Sequence, residues 1–212
     1  MSIKCILFDA DGVVIQSEMF SVKYEEEYKM PASQMLPFFQ GEFNNCLIGK
    51  ADLKEVIQPW LTKWRWEGTA EEFLEYWFKA EDHIDHRMID IITQLRTQGI
   101  ICCLATNQEQ YRTEYMMQEM GFSKFFDYIF SSVNIGFHKP QAEFFHHILQ
   151  KISQDHNIHA EEILFIDDTK QHTEAAKSLG IKTHHYTSFI ECRDYILSKI
   201  KLKNKKPHSS AS

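Results

Sequence analysis

Two carboxylates stand two residues apart near the amino terminus, at Asp9 and Asp11. They follow an apolar run over residues 3–8, and Gly12 after them favours a turn. Carboxylates at the end of a buried strand are costly unless they are paired or bind a metal. One carboxylate could attack a phosphorus atom while the other transfers a proton. The same pattern also suits a helix cap or a structural ion site.

A second acidic pair, Asp167 and Asp168, follows another apolar run at residues 163–166. Acidic pairs from two strand ends that converge in one crevice make an oxygen-only site, which suits Mg²⁺. The alternative is that Asp168 caps a helix that starts near Lys170. Because the first acidic pair is also present, we favour the metal site.

Polar residues end two further segments. Thr106 and Asn107 follow the apolar run 100–105 just before a predicted helix, where a hydroxyl and free backbone N–H groups suit a phosphate oxygen. An ordinary N-cap is the alternative. Lys139 precedes Pro140, and a proline in the first turn of the next helix would aim the lysine toward the crevice. A single lysine is usually a surface residue, so Lys139 is a candidate only because the other polar residues at strand ends are also present.

The segments that position these residues alternate between strands and helices. Continuous apolar runs are typical of strands buried on both faces, as in a parallel sheet. The pattern predicts a doubly wound, Rossmann-like α/β core, in which ligands bind beyond the carboxyl ends of the strands. The predicted strands cover residues 3–8, 100–105, 128–130, 163–166 and 182–186, and the predicted helices cover 110–120, 142–152 and 173–179.

Residues 16–86, called the helical insert below, break this alternation because they have helical patterns throughout. We interpret the insert as a small α-helical cap over the crevice of a catalytic core formed by residues 1–15 and 87–200. The aromatic residues of the insert are predicted to form a helical core, with one or two facing a substrate as the alternative. The lysine-rich tail at 201–212 is predicted to be disordered. The insert contains all four tryptophans, Trp60, Trp64, Trp66 and Trp77.

Composition and charge exclude several classes of protein. The hydrophobic fraction of 43% is typical of a folded chain, and 212 residues suffice for one core with a small insert. A net charge of −7 predicts no general attraction to nucleic acid or to an anionic membrane. No apolar run suits a signal peptide or approaches the roughly 20 residues that span a bilayer. The five cysteines lack metal-site spacing, so we expect a cytoplasmic protein with reduced thiols, and a monomer.

Taken together, these motifs resemble the haloacid dehalogenase superfamily of phosphohydrolases. The resemblance spans the predicted core from end to end, and the helical insert lies where that family has its smaller α-helical cap. Four motifs in the correct order are a specific signal. They are FDADGVV at residues 8–14, LATN at 104–107, HKP at 138–140 and FIDD at 165–168.

The resemblance implies a catalytic role for each matched residue. Asp9 would be the nucleophile that forms an aspartyl-phosphate. Asp11 would be the general acid for the leaving group and then the base that activates water. Thr106, Asn107 and Lys139 would hold the phosphoryl group, and Lys139 would also offset the charge of Asp9.

The resemblance also implies Mg²⁺ as the cofactor. Its ligands would be Asp9, the backbone carbonyl of Asp11, and Asp168. Asp167 would either bind the ion or lie just behind its ligands. Position 172 holds His172 where the family often has Asn or Asp, and this histidine is a candidate for orienting a metal-ligand carboxylate.

Asp11 favours phosphate ester chemistry, because dehalogenases of this family lack a carboxylate there and an alkoxide leaving group needs a proton. The resemblance therefore implies a phosphatase for a small phosphorylated metabolite, such as a sugar phosphate or a nucleotide-like monoester. Lys50 in the insert is a candidate contact for the distal part of the substrate, with a solvated helix residue as the alternative. Two other hypotheses remain: a sugar phosphomutase of the same family, and a catalytically silent binding module on this fold.

Overall fold

A five-stranded sheet lies at the centre of the computed structural model, which describes residues 2–200. The tail predicted at 201–212 lies outside the described residues. The strands are β1 (Cys5–Phe8), β2 (Ile101–Thr106), β3 (Tyr128–Ser131), β4 (Ile163–Asp167) and β5 (Lys182–His185). Their spatial order is β3-β2-β1-β4-β5, and all neighbouring pairs are parallel. Each strand overlaps one of the five predicted from the sequence.

The register of the sheet brings the acidic motifs to one edge. Phe8, the last residue of β1, is paired with Leu104 of β2 and with Ile166 of β4. The next residue, Asp9, donates its backbone N–H to the carbonyl of Ile166 at 2.9 Å. Because parallel strands all end at the same edge, the acidic residues that follow β1 and close β4 lie side by side.

Helices cover both faces of the sheet because its strands are apolar on both faces. Ile6 and Phe8 belong to one hydrophobic cluster, and Cys5 and Leu7 belong to another. Strands β1 and β4 are buried at every position, whereas the edge strand β5 is only partly buried. The predicted doubly wound α/β core is therefore confirmed. All five cysteines are buried with free thiols.

The described residues contain twelve α-helices and two 3₁₀ helices, the latter at Ala32–Gln34 and Ala160–Glu162. The three helices predicted between the strands are present, with shifted ends, as α7, α10 and α11 of the following list. The α-helices are α1 (Phe20–Tyr28), α2 (Leu36–Gln40), α3 (Phe43–Leu47), α4 (Leu53–Lys63), α5 (Ala70–Ala80), α6 (His86–Thr97), α7 (Gln110–Gln118), α8 (Phe122–Phe125), α9 (Ser132–Ile135), α10 (Ala142–His156), α11 (Lys170–Ser178) and α12 (Phe189–Lys199). Within residues 2–200, no helix has the length and apolar character needed to cross a bilayer.

Helices α1–α5 form a hydrophobic cluster of their own within the helical insert. The ring of Phe73, which is fully buried, lies at its centre. Its centroid is 5.8 Å from that of Phe20 and 5.5 Å from that of Trp64. Aromatic pairs at such distances add to the free energy that burial of their surface contributes. Most aromatic residues of the insert therefore form a helical core, as predicted.

Two neighbouring connections join the helical insert to the sheet. The backbone N–H of Gln16 donates to the carbonyl of His83 at 2.8 Å, and that of Asp85 donates to the carbonyl of Val14 at 2.9 Å. The predicted boundaries at residues 16 and 86 fall at these connections. The division into two domains stays a prediction.

Candidate active site

Lys139 occupies the centre of a buried ion-pair network at the carboxyl edge of the sheet. Its Nζ lies 2.7 Å from Asp9 Oδ1 and 2.7 Å from Asp167 Oδ2. Asp9 directly follows β1, Asp167 ends β4, and Lys139 belongs to the loop before α10. The lysine side chain is only 1% exposed, so solvent ions screen these charges little. Three residues that are far apart in the sequence thus form one charged cluster.

Asn107 holds the loop that carries Lys139. The Asn107 side chain accepts the Lys139 backbone N–H at 2.8 Å and donates to the Lys139 carbonyl at 2.9 Å. The Lys139-Pro140 peptide bond is cis. The prediction that Pro140 lies in the first turn of a helix is wrong, because α10 begins at Ala142 with Gln141 as its N-cap. The two hydrogen bonds from Asn107, not a helix start, fix the direction of the lysine.

Burial and opposite charges set the pKa values of this network. Burial raises the pKa of Asp9 well above its usual range, by more than the ammonium of Lys139 lowers it. Burial by itself lowers the pKa of Lys139, but the carboxylates of Asp9 and Asp167 outweigh that effect and raise it. Burial also opposes ionisation of Asp167, yet its hydrogen bond with His172 and the charge of Lys139 bring its pKa below the usual range. Lys139 is therefore cationic and Asp167 anionic at neutral pH.

Asp168 faces the loop that carries Asp9 and Asp11. A Cβ atom placed on Gly12 would lie only 2.2 Å from Asp168 Oδ2. Gly12 also has a φ of +78°, in the left-handed region that glycine tolerates best. A glycine at this position therefore permits both the turn after Asp11 and the close approach of the Asp168 carboxylate.

The chemistry of the donors at this edge fits Mg²⁺, which prefers oxygen ligands. Ligand atoms of Asp9, Asp167 and His172 lie within 4.8 Å of one another. His172 Nδ1, however, is 3.1 Å from both carboxylate oxygens of Asp167, which also binds Lys139. Asp167 is thus held by both His172 and Lys139, and the binding of Mg²⁺ by Asp9 and Asp168 stays a prediction.

Asp11 lies at the mouth of the site, outside the ion-pair network. The residue remains exposed to solvent, and its Oδ2 accepts a hydrogen bond from Gln108 Nε2. The surrounding protein atoms desolvate the carboxyl group and raise the pKa of Asp11, against the opposing charges of Arg112 and Lys139. A carboxyl group with a raised pKa is suited to donate a proton.

Thr106 ends β2 at the same edge, where it is paired with Ser131 of β3 and is only 1% exposed. Its contact with a phosphate stays a prediction. Gln108 and Glu109 follow in the same loop, and both are buried. Neither was predicted from the sequence, because glutamine and glutamate at a helix start are usually solvated. Their position directly after Asn107 is the signal that points to them.

A cavity of about 260 Å³ lies between this edge and the helical insert. Asp11, Asn107 and Gln108 line it on the side of the core. Lys50 is exposed and is not among its lining residues. A larger cavity of about 660 Å³ lies at the amino-terminal ends of β2 and β3, away from the acidic loops. The insert side of the smaller cavity is lined by Ser17, Met19, Phe20, Phe39, Phe43, Trp77 and Glu81.

Helix α7 holds the end of the helical insert against the core. Arg112, which is 3% exposed, donates to the backbone carbonyls of Phe78 and Glu81 at 3.0 Å and 2.9 Å. The hydroxyl of Tyr115, one turn further along α7, donates to Asp82 at 2.9 Å. These hydrogen bonds hold the carboxyl-terminal end of α5 and the residues after it against α7.

The chain belongs to the haloacid dehalogenase-like hydrolase family, whose model matches residues 6–186. The matched range includes the two acidic pairs and Lys139. A sesquiterpene phosphatase of Aspergillus oryzae is 32% identical over 107 residues, which are 50% of this chain and 52% of that protein. The match thus spans about half the length of this relative.

Two solved structures share the fold. A predicted HAD-like family hydrolase from Porphyromonas gingivalis superposes with a TM-score of 0.74 at 21% identity, covering 93% of this chain and 98% of that one. A HAD family enzyme from Bacteroides thetaiotaomicron, solved in complex with magnesium and inorganic phosphate, superposes with a TM-score of 0.70 at 18% identity. That match covers 88% of this chain and 96% of the other.

Proposed function

We propose that this chain is a Mg²⁺-dependent phosphatase that hydrolyses a small phosphate monoester through an aspartyl-phosphate on Asp9. The observation that carries the proposal is the Lys139 ammonium, which lies 2.7 Å from Asp9 and 2.7 Å from Asp167. Burial raises the pKa of Asp9, and an anionic nucleophile and an anionic phosphate repel each other. A buried cation beside Asp9 opposes both effects, as this reaction requires. The name of the Aspergillus relative, a sesquiterpene phosphatase, supports phosphate ester chemistry.

The reaction proceeds in two steps. An oxygen of Asp9 attacks the phosphorus atom, and the P–O bond to the organic group breaks while Asp11 gives its proton to the departing oxygen. The alcohol then leaves. In the second step, Asp11 takes a proton from water, whose oxygen attacks the same phosphorus atom, the bond to Asp9 breaks, and inorganic phosphate leaves. Gln108 positions Asp11 for both proton transfers through its hydrogen bond.

The phosphoryl group is held by Thr106, by backbone N–H groups at Asn107 and by Lys139. The side-chain amide of Asn107 is already bound at both ends to the backbone of Lys139. Its contribution is therefore to position the lysine, and the contact with phosphate falls to its backbone.

Asp9, Asp168 and the backbone carbonyl of Asp11 would hold Mg²⁺. Asp167 would lie behind these ligands and would orient Asp9 through Lys139. When bound, the ion neutralises charge on the phosphoryl group and on the nucleophile. The Bacteroides structure of the same fold was solved with magnesium and inorganic phosphate, which supports this assignment.

Hydrolysis of p-nitrophenyl phosphate tests the proposed function. We expect activity with Mg²⁺ that is abolished by EDTA, and a decrease of at least about a thousandfold in Asp9→Asn. Asp90→Asn is the matched control, because it makes the same change at an exposed position of α6. Undiminished activity in Asp9→Asn, or a chain that is inactive with Mg²⁺ on a broad panel of phosphate esters, would overturn the proposal.

A further inference from the structure

The cavity wall opposite the acidic loops is mainly aromatic. The rings of Phe20, Phe39, Phe43 and Trp77 line it. The centroid of Trp77 lies 5.4 Å from that of Phe39 and 5.7 Å from that of Phe43, so these rings form one continuous surface. Phe39 and Phe43 are only partly buried, because one side of each faces the cavity. An apolar group that reaches this wall leaves water and packs against aromatic rings.

The polar groups of the same wall are already hydrogen-bonded within the protein. Glu81 Oε1 accepts the backbone N–H of Phe20 at 2.9 Å, and Glu81 Oε2 accepts the indole N–H of Trp77 at 2.9 Å. The hydroxyl of Ser17 donates to the carbonyl of Glu81 at 3.2 Å. A sugar would bring several hydroxyl groups to a wall that offers them few partners, and unpaired buried polar groups are costly.

The charge of the cavity disfavours a second anionic group on the substrate. Its lining includes the carboxyl groups of Asp11 and Glu81, and the lining within the described residues contains no lysine or arginine. The guanidinium of Arg112 is directed at the backbone carbonyls of Phe78 and Glu81. A distal phosphate or carboxylate would therefore be desolvated with no lysine or arginine in the lining to pair with it.

We infer that the organic part of the ester is an uncharged and mainly apolar alkyl or aryl group that carries a single phosphate. This inference rests on the proposed function and narrows it, away from the sugar phosphate or nucleotide expected from the sequence. A cavity of about 150 Å³ holds one benzene molecule. The cavity of about 260 Å³ thus has room for about ten carbon atoms.

A pair of esters with the same ring size and the same linkage to phosphate tests the inference. Cyclohexylmethyl phosphate has the six-membered ring and the exocyclic CH₂–O–P linkage of glucose 6-phosphate but lacks the ring oxygen and the hydroxyl groups. Both esters release a primary alcohol, so their intrinsic reactivity is similar. We expect kcat/KM to favour cyclohexylmethyl phosphate by at least about tenfold. Equal values, or a preference for glucose 6-phosphate, would overturn the inference.

Acetyl phosphate separates this inference from the proposed function, because its acyl group is too small to reach the aromatic wall. If the chain hydrolyses neither acetyl phosphate nor any ester, the proposed function fails. If it hydrolyses acetyl phosphate but does not prefer the apolar ester, only the inference fails.

Two variants at Phe43 locate the preference in the aromatic wall. Phe43→Gln places an amide in the wall, and we expect it to reduce the preference for cyclohexylmethyl phosphate by about fivefold or more. Phe43→Leu keeps the wall apolar and is expected to retain the preference. For each variant, the rate with each ester is divided by the rate of the same variant with acetyl phosphate, so that a loss of folded protein cancels. A preference that is unchanged in Phe43→Gln would contradict the role of the aromatic wall.

Discussion

The two walls of the active-site cavity are built in opposite ways. The core wall is lined by Asp11, Asn107 and Gln108. Behind them, charged side chains at strand ends are held by ion pairs, as Lys139 is between Asp9 and Asp167. The insert wall consists mainly of aromatic rings that pack on one another, such as Trp77 against Phe43. The stability of the first arrangement depends on the direction of a few charged hydrogen bonds, whereas the stability of the second depends mainly on the apolar area that is buried.

This difference assigns a separate task to each wall. Under the proposed function, the charges at the core wall would act on the phosphoryl group, which every substrate shares. The rings of the insert wall would contact the organic group, which differs between substrates. Changes in the core wall should therefore impair hydrolysis of all esters, and changes in the insert wall should alter the choice among them.

Removal of the central cation should give the largest effect. Lys139→Met leaves Asp9 and Asp167 as buried carboxylates without their counter-ion. We expect the free energy of unfolding to fall by about 3–5 kcal/mol and hydrolysis of every ester to fall by at least about a thousandfold. Urea unfolding and kcat/KM with p-nitrophenyl phosphate measure the two effects.

Lys151→Met is the control for this change, because Lys151 forms an exposed ion pair with Asp155 on α10. Loss of this exposed ion pair should lower the free energy of unfolding by less than about 1 kcal/mol. A Lys139→Met variant as stable as this control would contradict the buried network.

Glu109, at the start of α7 between the two walls, should make stability depend on pH. Burial raises its pKa from 4.5 to about 7, and the nearby Asp52 of the insert contributes. Between these values the unfolded chain has released the proton that the folded chain retains, so the free energy of unfolding decreases as pH rises toward 7 and levels off above it. The decrease reaches up to about 3 kcal/mol.

Glu109→Gln should abolish this part of the pH dependence. Urea unfolding at about pH 5 and about pH 8 measures it as a difference between the variant and the original chain. Glu119→Gln removes the same charge from an exposed position at the carboxyl-terminal end of α7 and should leave the dependence intact. If the free energy of unfolding changes with pH in the same way in the original chain and in Glu109→Gln, the carboxyl group of Glu109 is not held in its neutral form.

A methyl group at Gly12 should impair the metal site without touching the insert wall. Its Cβ would lie 2.2 Å from Asp168 Oδ2 and would displace that carboxylate. We expect Gly12→Ala to raise the Mg²⁺ concentration for half-maximal activity by at least about tenfold. Gly99→Ala is the matched control, because Gly99 has a φ of +82° but no atom within 4 Å of a Cβ. Equal Mg²⁺ dependence in both variants would mean that Asp168 does not bind the ion.

Loss of the hydrogen bond to Asp11 should give the smallest effect. Gln108→Ala leaves the carboxyl group less well oriented for proton transfer. We expect kcat to fall by about three- to tenfold for alkyl phosphates, whose leaving group needs the proton, and less for p-nitrophenyl phosphate. An equal decrease for both types of ester would argue against a role in proton transfer.

Much of the fold was predictable because it depends on local patterns. The apolar runs predicted strands β1 to β4, since strands buried on both faces admit few polar residues, whereas the edge strand β5 had a weaker pattern. The acidic pairs after β1 and at the end of β4 were predictable as one site, because parallel strands end at the same edge. The helical character of the insert also followed from its periodicity, although its role as a domain remains a prediction.

What the sequence by itself determined, then, is which residues stand at the strand ends and which segments are helical, because both depend on short-range order in the chain. Only the tertiary structure decided how those residues meet. It replaced the expected helix start at Pro140 with the two hydrogen bonds between Asn107 and the backbone of Lys139. It also brought Gln108 to Asp11 and turned Phe43 toward the cavity. These contacts join residues from different elements, and their geometry depends on how whole helices and loops pack against one another.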